Sequence, residues 1–176
     1  EENHNSVGLI SVNNALKHFF KSYDISNDEL TELKTFKEYE DLIAVYSKMM
    51  GKNFKIPTQH LEHLIAKLYK NKEEFSILEK TIKNKYLLSI PDFNNALGNT
   101  LIKNSEIIKG IEILEANNKT YPNKPKYLSS LAKAYLKSKN KEKALAIFEQ
   151  AIDMAKSKSL RQWNQNQLKA DYLEAQ

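Results

Sequence analysis

Apolar residues recur at helical spacing along most of the chain. From Leu9 to Tyr23 they are Ile10, Val12, Leu16, Phe19 and Phe20, one face of an amphipathic helix. Ser26-Asn27-Asp28-Glu29 has the form of a capping box, in which a serine oxygen and a glutamate carboxylate each meet an orphan amide. It predicts a short polar helix through Leu33. Thr35-Phe36-Lys37-Glu38 has the same form and starts a helix carrying Tyr39, Leu42, Ile43, Tyr46 and Met50. Gly51 stands where a C-terminal cap is expected. Phe54-Lys55-Ile56-Pro57 reads as a short extended link, because the residue before proline avoids helix.

From Thr58 the pattern becomes regular. Helices are predicted over 58–70, 73–88, 91–103, 106–118, 125–138, 141–157 and 160–174, with short breaks between them. No segment alternates with period two, so no sheet is expected and the fold class is all-α. Composition agrees. The 176 residues include only 4 Gly and 4 Pro, too few for a turn-rich fold.

The same scarcity excludes chemistry. Gly8, Gly51, Gly98 and Gly110 lie too far apart for a glycine-rich phosphate loop or a G-x-S-x-G nucleophile elbow. There is no Cys, which removes thiol catalysis, disulfides and thiolate-bound zinc without fixing a compartment. No cofactor is expected. His60 and His63 flank Glu62 on a predicted helix, but no third ligand joins them, so no metal site is expected and both read as surface histidines.

Charge is uneven. Residues 1–88 carry 13 Lys and 13 acids, whereas residues 89–176 carry 14 basic residues and 9 acids. From Lys119 to Lys143 there are 8 Lys against Glu142 alone. Every basic residue but Arg161 is Lys, and Arg is the usual choice for phosphate and base-edge contacts. The run therefore reads as a solvated helix face, and no nucleic-acid partner is expected. No apolar stretch is long enough to span a membrane. Glu1-Glu2-Asn3-His4-Asn5 has neither the basic nor the apolar region of a signal peptide, and no initiator Met precedes it. The chain is expected to be a piece of something longer.

Pro91 and Pro125 are 34 residues apart. The same offset pairs Leu97 with Leu131, Leu101 with Tyr135, Lys103 with Lys137, Lys109 with Lys143, Ile113 with Ile147, Leu114 with Phe148 and Glu115 with Glu149. This period and pattern resemble the tetratricopeptide repeat. Residues 125–158 match it at Leu128, Leu131, Ala132, Tyr135, Ala144, Phe148 and Ala151, with Lys156 in place of the closing Pro. Residues 91–124 match more loosely, at Leu97, Gly98, Leu101, Gly110, Leu114 and Pro122. Both lack the opening Trp; Asn94 and Leu128 stand there. Small residues at Gly98, Ala132, Gly110 and Ala144 let paired helices approach, and Leu101, Tyr135, Leu114 and Phe148 fill the space between turns. Residues 58–90 read as a degenerate earlier unit, with Ile65, Ala66, Tyr69, Phe75, Leu78 and Ile82. Leu160, Trp163, Leu168 and Tyr172 mark a capping helix. The expected architecture is a right-handed array of helical hairpins closed by that helix.

A second resemblance starts at the amino end. Glu2-Asn3-His4-Asn5-Ser6-Val7, followed by Ser11, Leu16 and Phe20, is similar to the last stretch of the catalytic domain in esterases of the α/β-hydrolase superfamily, the enterobactin-esterase and esterase-D-like proteins. One branch of that family continues into a helical tail similar to Leu42–Tyr69 and ends in tetratricopeptide-like units, so the resemblance spans nearly the whole chain. It implies that residues 1–23 end a catalytic domain, 24–57 connect, and 58–176 form the repeat domain. It also implies that His4 is the triad histidine of a domain whose nucleophile and acid lie upstream, since His comes last in that order. This stretch by itself is then not an enzyme, although the parent is a serine esterase. Its partners would be the hydrolase domain, a peptide or protein, or a second copy.

The tetratricopeptide resemblance also implies a groove, with positions 2, 5, 9 and 13 of each unit facing it. These are Asp92, Asn95, Asn99 and Lys103, then Lys126, Ser129, Lys133 and Lys137. Among them Asn95, Asn99, Lys126, Lys133 and Lys137 are the candidate peptide-binding residues, suited to a backbone and an acidic terminus.

Overall fold

The structure is a computed structural model that describes residues 11–12, 25–122 and 124–176, with only the backbone of Lys52. The expected helix over Leu9–Tyr23, and with it His4 and Gly8, lies largely outside the described residues. Those residues hold helices and no strand. They form α1 (Asn27–Glu32), α2 (Phe36–Leu42), α3 (Ala44–Met50), α4 (Thr58–Leu68), α5 (Lys72–Lys85), α6 (Ile90–Lys103), α7 (Ile107–Thr120), α8 (Pro125–Lys137), α9 (Lys141–Ser157) and α10 (Gln162–Ala175). Short 3-10 turns cover Gly51–Asn53 and Leu87–Ser89.

The chain divides into two compact units, residues 1–56 with 67–88, and residues 57–66 with 89–176. In the first, Ser26 and Glu29 form the expected capping box at α1. At α2 only half of the box forms. Thr35 Oγ1 accepts from the Glu38 amide at 3.3 Å, while the Glu38 carboxylate turns to the Lys34 amide at 2.7 Å. The helix expected to continue to Met50 breaks at Ile43, whose φ of −93° and ψ of 3° leave the helical region. Gly51 ends α3 with a φ of 51°, a conformation that side chains resist.

Aromatic residues dominate the interior of this unit. Phe36 and Tyr39 are fully buried and stacked at 5.9 Å between ring centroids. Phe54 meets the edge of Tyr86 at 5.6 Å. Helix α5 belongs here because its contacts run to α2. Glu74 accepts from the Phe36 amide at 2.8 Å, and Glu40 receives Lys85 at 2.7 Å and the Tyr86 hydroxyl at 3.0 Å. Asn71 caps α5 at 3.2 Å, as Asn140 caps α9, but the link before α5 differs from the later ones in having no residue with positive φ.

In the second unit α6 packs on α7, α7 on α8, α8 on α9 and α9 on α10. Gly98 and Gly110 set the distance between the first two. A β-carbon on Gly98 would come within 2.6 Å of Leu114 Cγ, and one on Gly110 within 2.9 Å of the Gly98 carbonyl oxygen. Real β-carbons do not approach so closely, so this crossing requires both glycines. Asn117 is buried and donates to the Pro91 carbonyl at 2.9 Å, tying α7 to the start of α6. Asn118 donates to the Tyr127 carbonyl at 3.1 Å, tying α7 to α8. One cluster gathers Leu114, Leu131, Ala132, Tyr135, Ala144, Ile147, Phe148 and Ala175, and a second joins Ala151, Ala155 and Leu168.

The ends of α6 and α8 repeat bond for bond. The Glu106 amide donates to the Leu101 carbonyl and the Asn140 amide to the Tyr135 carbonyl, both at 2.9 Å. One residue earlier, Ser105 donates to Ile102 at 3.1 Å and Lys139 to Leu136 at 3.0 Å. Both are Schellman ends with the C′ residue left-handed, at φ 67° for Ser105 and 64° for Lys139. Helix α9 closes in the same way at Ser159. Glycine usually fills this position; Ser and Lys fill it here.

Candidate functional site: a lysine-edged groove

A cavity of about 390 Å³ lies within the second unit. Helix α6 contributes Asn99, Thr100 and Lys103, and α8 contributes Ser129, Ser130, Lys133 and Lys137. Glu62 and Ala66 line it from α4. Small side chains, Ala66, Ala96 and Ala134, leave the space open. The helical repeat explains the grouping. Asn99 and Lys103 are one turn apart, as are Lys133 and Lys137, so each pair shares a helix face.

Lys103 and Lys137 are exposed, and no ion pair among the described residues engages either one. Lys133 pairs with Asp171 of α10 at 2.7 Å. Asn99 donates to Ser130 Oγ at 3.3 Å, linking the two walls. The lining therefore carries three ammonium groups against one carboxylate, that of Glu62.

The structure differs from the expectation at the other groove positions. Asp92 is buried rather than facing the cavity; it accepts the Tyr127 hydroxyl at 2.9 Å and pairs with Lys126 at the same distance. Burial, with the negative Asp92 beside it, raises the Tyr127 pKa well above the usual tyrosine range. Lys126, held by Asp92 and within 3.4 Å of Thr58 Oγ1, lies outside the lining. Asn95 is also outside it; its side chain is buried and its Oδ1 accepts no hydrogen bond. Of the five candidate residues, Asn99, Lys133 and Lys137 come together, and Asn95 and Lys126 do not join them. Lys103 and Ser129 face the cavity as the repeat positions imply. Glu62, Thr100 and Ser130 join it without having been singled out, although Glu62 is position 5 of the degenerate unit 58–90.

A second polar constellation ties α7, α8 and α9 together. The Tyr135 hydroxyl donates to Glu115, and Lys143 donates to both the hydroxyl and the carboxylate. Lys143 also sits 4.2 Å above the Tyr135 ring centroid. The tyrosine's hydrogen bond, with Lys143 behind it, holds the Glu115 carboxyl below the usual range. Every donor here has its acceptor within the chain, so the cluster serves as a clamp between helices.

His60 is buried rather than on the surface, because Leu61, Leu64 and Ile65 on the same helix turn are also buried. Burial, followed by the charge of His63, lowers its pKa. Among the described residues no group of three His, Cys, Asp or Glu could hold a metal ion, and no helix is long and apolar enough to cross a membrane. In the first unit, a cavity lined by Lys37, Glu40, Asp41, Lys48 and Lys85 holds two internal ion pairs, Lys37 with Asp41 and Lys85 with Glu40, and Lys48 besides. No family model, curated protein or solved structure matches the chain.

Proposed function

We propose that the unit of residues 57–66 and 89–176 is a non-catalytic, tetratricopeptide-like helical-repeat domain that binds an acidic peptide segment in the groove between α4, α6 and α8. The observation that carries this reading is the shared cavity of Lys103 and Lys137, equivalent residues 34 apart, both exposed and neither in an ion pair among the described residues. Asn99, Ser129 and Ser130 lie beside them and supply donors and acceptors for a peptide backbone. Lysine is a flexible point charge, so the binding is weak and salt-sensitive. The test is calorimetry of an acidic peptide with the chain and with its Lys133→Glu, Lys137→Glu variant. Loss of binding in the variant is expected, and unchanged affinity removes the reading.

The setting of this domain rests on the other resemblance. Glu2–Val7 with His4, and the tail of two helices joined through Gly51 and Pro57, support a place behind the catalytic domain of a serine esterase. There the repeat domain packs on the enzyme, shapes substrate access or mediates self-association. His4 is the general base in that reading. A parent gene without G-x-S-x-G upstream of His4 ends it.

A further inference from the structure

The charge of the groove is set partly from outside it. Asp171, on the last helix, does not line the cavity, yet it holds Lys133, one of the three lysines. Its side chain is only 10% exposed and its position is fixed from two sides. Gln167, one turn earlier on α10, donates to Oδ1 at 3.1 Å. Lys133 lies 2.7 Å and Ser129 Oγ 3.4 Å from Oδ2. Both partners on α8 are groove residues. The Lys133 side chain remains 53% exposed, so a ligand reaches it even while Asp171 holds it. Lys103 and Lys137, in the last turns of their helices, have no such carboxylate among the described residues.

We propose that Asp171 is a specificity-determining residue: its carboxylate competes with an anionic ligand for Lys133 and confines the groove's strong anion position to Lys103 and Lys137. This rests on the reading of the groove as an acidic-peptide site. A half-exposed ion pair is weak, so an incoming carboxylate competes with it on nearly equal terms. A ligand with one acidic group settles at Lys103 and Lys137, where nothing must be displaced. A ligand with several acidic groups gains at Lys133 only what the exchange with Asp171 leaves. Discrimination thus comes from an internal competitor as well as from attraction.

The probe is an N-acetylated hexaglutamate peptide, titrated at low salt into the whole chain. Asp171→Asn keeps the size of the side chain and one acceptor oxygen while removing the charge. It is expected to tighten binding about threefold, the scale of one half-exposed ion pair. Lys133→Met is expected to change affinity less than about twofold in the natural chain. In the Asp171→Asn background the same change should abolish the whole gain. Asp153→Asn is the control for net charge, since Asp153 is exposed on α9 and pairs with Lys156. An equal gain from Asp153→Asn, or a gain that survives Lys133→Met, overturns the proposal. If the natural chain binds, loses binding on Lys137→Met and is unaffected by Asp171→Asn, this proposal alone fails. If the natural chain does not bind the peptide, the groove reading and this proposal fall together. A second readout needs no variant. With an acetylating reagent, Lys133 is expected to react more slowly than Lys137 at low salt, and the difference should narrow at high salt. Equal rates at low salt overturn the proposal.

Discussion

Helices α6 and α7 meet through two glycines, whereas α8 and α9 place alanines, Ala132 and Ala144, 34 residues further along. The residues that fill the space beside them also change, from Leu101 and Leu114 to Tyr135 and Phe148, all buried. The ends of α6 and α8 nevertheless close with the same two hydrogen bonds and the same left-handed residue. The smaller residues accompany the smaller fillers, so packing within each pair is adjusted jointly. The backbone link is held constant by its own bonds. A further parallel lies outside the core: Tyr135 of α8 donates to Glu115 of α7, and Tyr172 of α10 donates to Glu149 of α9 at 2.8 Å. Each second helix is clamped by a tyrosine from the helix that follows.

The largest effects should come from the fillers. Phe148→Ala is expected to lower stability by about 3–5 kcal/mol and Leu114→Ala by about 2–5 kcal/mol, read from denaturant unfolding. Both side chains are fully buried. A cost under 1 kcal/mol at either would mean that the pair is not packed as described.

The small positions sharpen the contrast. Gly98→Ala adds a methyl group where Leu114 leaves no room, and should destabilise by about 1–3 kcal/mol despite alanine's better helix propensity. Ala132→Gly should also destabilise, by about 1–2 kcal/mol, through lost propensity and lost burial. If Gly98→Ala stabilised the chain instead, the glycine contact between α6 and α7 would be refuted.

The helix ends predict gains. Ser105→Gly and Lys139→Gly relieve a left-handed side chain and should each stabilise by up to about 1 kcal/mol, measured as a rise in the unfolding midpoint. Equal gains at the two sites match equal links; a gain at one alone would break the parallel.

The clamp gives the smallest effect and a pH signature. The folded Glu115 carboxyl lies below its ordinary value of 4.5, so its contribution is complete above that pH and is lost as pH falls through the lowered value. Glu115 is nearly half exposed, so Glu115→Gln should cost less than about 1 kcal/mol at neutral pH and flatten stability only below pH 4.5. A loss of equal size at pH 3 and pH 7 would contradict the charged clamp.

Much of this was legible along the chain. The starts of α4, α6, α8 and α9, expected at 58, 91, 125 and 141 from apolar spacing, fall at Thr58, Ile90, Pro125 and Lys141. Three features were not. The break at Ile43 interrupts a continuous apolar pattern, and no Gly or Pro marks it. The left-handed ends at Ser105, Lys139 and Ser159 lack the glycine that usually signals them. In the groove, repeat spacing located Asn99, Lys103, Lys133 and Lys137, but it did not show that Asp92 would bury itself and draw Lys126 away. Nor did it show that Asp171 would engage Lys133 from α10, a pairing across 38 residues with no local signal.

The groove is tested most directly by amide chemical-shift mapping of an acidic peptide on the isotope-labelled chain. Shifts are expected at Asn99, Lys103, Ser130, Lys133 and Lys137, fading with added salt and leaving Trp163 and Leu173 on α10 unmoved. Shifts centred on α10 or on residues 25–56, or none at any peptide concentration, would contradict a binding groove between α4, α6 and α8.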